Sequence, residues 1–82
     1  MMRSGQQLAV LRPLTVVEAR GDGDYGAVQR IPNNTVVKYC GRSKLRNMVD
    51  LRWRDQVYCA FELDVAERTS PVNEPQVPVS RG

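Results

Sequence analysis

MVDLRWRDQVYCAF, residues 48–61, is the stretch whose reading decides the fold class. Val49, Leu51 and Trp53 alternate with Met48, Asp50 and Arg52, and Val57, Cys59 and Phe61 alternate with Gln56, Tyr58 and Ala60. A strict period of two in β-branched and aromatic residues marks half-buried strands, and two such runs broken by Arg54-Asp55 form a β-hairpin. A two-residue loop would pair Trp53 with Gln56 and leave Val57, Cys59 and Phe61 on the charged side. A three-residue loop, residues 54–56, pairs Trp53 with Val57, Leu51 with Cys59 and Val49 with Phe61, so every apolar side chain shares one face. Because a slip of one residue turns a whole strand over, the longer loop is the expected register. The expected core is Val49, Leu51, Trp53, Val57, Cys59, Phe61 and Leu63, joined by Val16 and Val37.

Working outward, the chain has 82 residues, enough for one domain that buries only about 60% of its unfolded surface. Residues 1–7 are polar and without pattern, which predicts a flexible N-terminus. From Thr69 the sequence TSPVNEPQVPVSRG carries three prolines and no period, which predicts a disordered tail over 69–82. Residues 8–68 are left to fold, and so small a core makes self-association an expectation.

The net charge of +3 comes from 12 basic and 9 acidic residues that are well mixed. Histidine is absent, which removes the commonest general base and the commonest metal ligand. Two cysteines without histidine do not assemble a zinc site, so neither metal nor cofactor is expected. No long apolar run suggests a signal peptide or a membrane span. The expected setting is therefore the cytoplasm, with Cys40 and Cys59 as free thiols.

In chain order, Leu8 to Leu14 is apolar but broken by Pro13, which suits an edge or lead-in segment. Leu14 to Ala19 reads as the first strand. The loop RGDGDYG, residues 20–26, lacks the further ligands of a calcium loop and the lysine of a phosphate loop, and reads as a bare turn-rich connection. Ala27 to Ile31 alternates weakly, Pro32-Asn33-Asn34 is a turn, and Thr35 to Cys40 is a strand. GRSKLRN, residues 41–47, is a polar loop. After the hairpin, Glu62-Leu63-Asp64 reads as one helical turn and Val65 to Glu67 as a last strand. The fold class is thus all-β, and five short strands suggest a small closed barrel that hides its edges.

This order resembles the SH3-like small β-barrels. In that family a long first loop precedes a strand entered through an Ile-Pro turn, as in Ile31-Pro32-Asn33-Asn34-Thr35, and a one-turn helix enters the closing strand, as in Glu62-Leu63-Asp64. The likeness spans Leu14 to Arg68 and implies a five-stranded SH3-like barrel. The chain lacks the acidic-aromatic segment and paired tryptophans of the polyproline-binding members. Gln56-Val57-Tyr58 also resembles the Gln-Ile-Tyr strand of type II dihydrofolate reductases, SH3-like tetramers in which that glutamine and tyrosine line a pore. Tyr39-Cys40 is similar to a dipeptide of the same family, whereas Asp55 stands where the family has valine.

No nucleophile–base pair can be assembled from the pattern, which favours an interaction module over an enzyme. Its expected partner is a second copy of itself or another protein, through Tyr58, Gln56 and Met48 on the row opposite the apolar one, with Tyr39 as a further aromatic anchor. The alternative is a nucleic-acid-binding barrel that uses Arg42, Lys44, Arg46, Arg52 and Arg54, with Tyr39 and Tyr58 as stacking platforms. Type II dihydrofolate-reductase-like chemistry is the third reading.

Overall fold

The computed structural model describes residues 3–20 and 23–72. It contains seven strands and one short helix. They are β1 (Gln7–Val10), β2 (Leu14–Ala19), β3 (Tyr25–Ile31), β4 (Thr35–Arg42), β5 (Met48–Trp53), β6 (Gln56–Phe61), α1 (Glu62–Arg68) and β7 (Thr69–Pro71). The all-β expectation holds. The five-stranded closed barrel does not, because the strands form one open antiparallel sheet in the order β3-β2-β6-β5-β4-β1-β7.

That sheet is strongly curled, and the connection between β1 and β2 requires it. The two strands stand four places apart in the sheet, which is about 19 Å on a flat sheet at about 4.8 Å per strand. Val10 and Leu14 are joined only through Leu11-Arg12-Pro13, and four extended residues reach about 14 Å. Curling brings Leu14, Val16 and Ile31 from one end against Leu8 and Val10 from the other. Val37, Val49, Leu51 and Val65 complete the interior.

The hairpin turns in the shorter loop. Trp53 pairs with Gln56, Leu51 with Tyr58, Val49 with Ala60 and Asp50 with Cys59. Arg54 and Asp55 both adopt left-handed backbone, at φ 56 and 61. Two such residues make the hairpin turn whose twist matches the strands. The left-handed conformation costs non-glycine residues about 1–2 kcal/mol each. The Arg54 guanidinium lies 4.4 Å from the centroid of the Trp53 ring, and Trp53 meets Tyr58 at 5.7 Å. Together these contacts return about 1–2.5 kcal/mol.

This register overturns the expected core. Tyr58, only 5% exposed, and Ala60 pack inside with Val49 and Leu51. Phe61 and Leu63, expected inside, are 57% and 76% exposed. Val57 is half-buried, and Cys59 is buried on the opposite face of the sheet. Val16 and Val37 are buried as expected, and Trp53 packs half-buried against the core.

The ends also differ from expectation. Gln7 opens β1, and Gln6 and Gly5 bond the Tyr39 backbone before it. Val65 to Glu67 lies in α1, not in a strand. Acidic Glu62 and Asp64 in its first turn and Arg68 in its last suit the helix dipole. Val65 is the residue α1 contributes to the core. The expected tail begins as β7, where Ser70 pairs with Ala9 and Thr69 with Val10. Residues 73–82 of that tail lie outside the described residues.

The two registers predict opposite mutational patterns. Leu51→Ala should cost about 2–5 kcal/mol, whereas Leu63→Ala should stay within about 0.5 kcal/mol because its side chain meets water. Urea unfolding of both variants checks this, and a larger loss at Leu63 would restore the longer loop.

Candidate functional site

A β-bulge in β4 begins the site. Tyr39 pairs with Leu51 and Gly41 with Asp50, so Cys40 is the extra residue. Gly41 accommodates it at φ 116, a conformation open to a residue without Cβ. The chain then folds back over the outer face. The Ser43 amide donates to the Met48 carbonyl at 3.0 Å, and the Leu45 amide donates to Ser43 Oγ at 3.1 Å. Ser43 Oγ thereby reaches Cys59 Sγ at 3.4 Å, and Sγ donates to Asp50 Oδ1 at 3.2 Å.

This Ser43–Cys59–Asp50 group floors a cleft of about 520 Å³ on the outer face of the sheet. One wall comes from the end of β2 and the start of β3, with Ala19, Arg20 and Tyr25. The other comes from the loop after β4, with Lys44. Asp55, Gln56 and Val57 close the hairpin end. Ala19 and Tyr25 are paired across β2 and β3, and the Gln56 side-chain amide donates to the Ala19 carbonyl at 3.4 Å. Tyr25 is 39% exposed, so part of its ring is open to a ligand.

The Cys59 thiol in the cleft floor is buried and hydrogen-bonded. Burial raises the Cys59 thiol above its ordinary value of 9.0, and the Asp50 carboxylate adds to the rise while the Ser43 hydroxyl opposes it. A protonated thiol donating to a carboxylate is a poor nucleophile. Among the described residues no group of three or more histidine, cysteine or carboxylate side chains could hold a metal.

The partner-binding residues expected from sequence do not form a surface. Tyr58 and Tyr39 are in the core, and Met48 and Gln56 are half-buried on opposite faces of the hairpin. The row bearing Gln56, Tyr58 and Ala60 is the inner face, so it is not a docking face for a second copy. The same burial removes Tyr58 and Tyr39 as stacking platforms. It also withdraws Tyr58 from the pore-lining position that the dihydrofolate-reductase resemblance implies.

The basic residues fare better. Arg42, Lys44, Arg46, Arg52 and Arg54 are all exposed, and so is Lys38, which pairs with Arg52. Arg52 also pairs with Val57 of the cleft. Lys38, Arg52 and Lys44 therefore belong to the cleft side. Arg42 pairs with Val49 and stands on the other face, and Arg54 stacks over Trp53 at the hairpin tip. Among the described residues none of the six forms an ion pair, the one such bridge being Arg20 with Glu18. Sequence reasoning missed Lys38, Tyr25 and the cleft itself. The first was legible from its place in TVVKYC, whereas the cleft depends on a bulge that the sequence signals only through Gly41.

Comparison with protein-family models, with curated proteins and with solved structures finds no match.

The burial of Cys59 beside Asp50 sets an alkaline limit on stability. The folded thiol keeps its proton where the unfolded chain releases it, so the contribution is complete below about pH 9 and is lost as pH rises through the raised folded value. Cys59→Ala should flatten this decline between pH 8 and 10 in denaturant titrations. An equally steep decline in the variant would assign it elsewhere.

Proposed function

We propose that this chain is a small non-enzymatic binding module whose ligand is single-stranded nucleic acid. The observation that carries the reading is the cation run from Lys38 to Arg54. It holds six exposed basic side chains and one carboxylate, Asp50, which already accepts from Cys59. Unneutralised cations on one continuous strand–loop–strand unit follow a phosphate backbone and release its counterions. The adjoining cleft offers Tyr25 as an exposed ring, and aromatic rings beside a basic groove are how single strands are held without regard to sequence. The seven-residue α1 is too short to serve as a groove-reading helix, which favours a single strand over a duplex.

The Ile31-Pro32 turn and a short helix leading into the last strand, β7, support placing the curled sheet with the SH3-like architectures. The free thiols of Cys40 and Cys59 support a reducing, cytoplasmic setting. No helix among the described residues is long and apolar enough to cross a membrane.

A second reading, a protein-binding module that pairs with itself or another chain, draws on Phe61 and Leu63. These two large apolar side chains lie exposed two residues apart where β6 passes into α1. Light scattering at high micromolar concentration separates the two readings. A monomer with salt-dependent oligonucleotide binding supports the first, and a dimer lost on Phe61→Ser supports the second.

Binding of a fluorescein-labelled thymidine 15-mer should weaken steeply with salt, by about 0.7 in log–log slope for each phosphate contacted. Replacing both Lys44 and Arg52 with glutamine should reduce that slope by about 1.4. Absent binding, or binding indifferent to salt, would contradict the proposal.

A further inference from the structure

Resting on the nucleic-acid reading, we propose that the outer-face cleft takes one unstacked base of the bound strand and prefers a base bearing an amino group, guanine first. The cleft's volume of about 520 Å³ falls in the range of small-molecule sites, about 300–1,000 Å³. Its contents divide as a nucleotide divides. The Tyr25 ring and the Val57 and Ala19 side chains supply apolar wall for a base face, while Lys44 supplies charge for a flanking phosphate. What remains for the base edge is acceptor-rich, because Asp24, Asp50 and Asp55 line the same cleft.

An ionised carboxylate only accepts hydrogen bonds. It therefore favours edges that present N–H groups. Cytosine and adenine offer an exocyclic amino group. Guanine offers a ring N–H and an amino group side by side, the parallel arrangement that a carboxylate accepts in its bidentate pairs with arginine. Thymine and uracil present one N–H between two carbonyls, and those carbonyls face the carboxylates at a cost. Asp50 already holds the Cys59 thiol at 3.2 Å and Asp24 is itself engaged, which leaves Asp55 as the residue that reads the base. Asp55 is exposed, and the left-handed turn at φ 61 fixes its backbone at the cleft's hairpin end.

The test compares labelled thymidine 15-mers with and without one central guanosine, using the full chain and its Asp55→Asn variant. Asparagine tolerates left-handed backbone, so the turn and the fold survive the change. The wild type should bind the guanosine oligomer at least about fivefold more tightly than the all-thymidine one. Asp55→Asn should bring that ratio to about one. A ratio near one in the wild type, with salt-dependent thymidine binding intact, overturns the base pocket and leaves the proposed function standing. A guanosine preference that persists in Asp55→Asn overturns the role of Asp55. Failure of both oligomers to bind overturns the nucleic-acid reading itself.

Discussion

The two-residue turn at Arg54 and Asp55 is the constraint on which the rest of the molecule depends. Strands alternate their faces residue by residue, so the turn length decides which row of β6 enters the core. With two residues in the loop, Tyr58 and Ala60 join Leu51 and Val49 inside, while Val57, Cys59 and Phe61 join Asp50, Arg52 and Met48 outside. The mixed outer face follows. It carries a thiol against a carboxylate, a valine beside an arginine and a large exposed phenylalanine. Left-handed backbone at Arg54 and Asp55 is the cost of this arrangement. The Arg54–Trp53–Tyr58 stack offsets part of it.

The second organising feature is curvature. A three-residue link cannot join β1 to β2 across a flat seven-stranded sheet, so the sheet coils around a single interior. The β4 bulge at Cys40 and Gly41 adds to the bending, as bulges do. It also releases the loop that lays Ser43 and Lys44 over the outer face. The cleft is thus a by-product of how a small sheet closes its core, with its floor on β5 and β6 and its walls on the loops that bending pushes together.

The sequence carried the all-β class, the strands β2, β4, β5 and β6, the Ile31-Pro32 turn and the burial of Val16, Val37, Val49 and Leu51. It misled where both faces of a strand were apolar enough to be inside. In β6 the row Val57, Cys59, Phe61 outscores Gln56, Tyr58, Ala60 by composition, yet turn geometry chose the second. Hydrophobic pattern alone cannot rank two registers when the loop contains neither glycine nor asparagine to declare its type. Val65 to Glu67 read as strand because four to seven residues are too few for a helical period to show. Thr69–Pro71 was hidden by proline, which fits an edge strand such as β7. Of the site, the basic residues were legible one by one. Their neighbourhood was not, because Lys44, Tyr25 and Cys59 come together only through sheet order.

Everything proposed about the outer face presumes the hairpin register, and cross-strand nuclear Overhauser contacts in the isotope-labelled protein measure it directly. The account predicts contacts that pair Leu51 with Tyr58, Asp50 with Cys59 and Val49 with Ala60. Contacts pairing Leu51 with Cys59 and Val49 with Phe61 would contradict it, turning Cys59 into the core and removing the floor of the cleft.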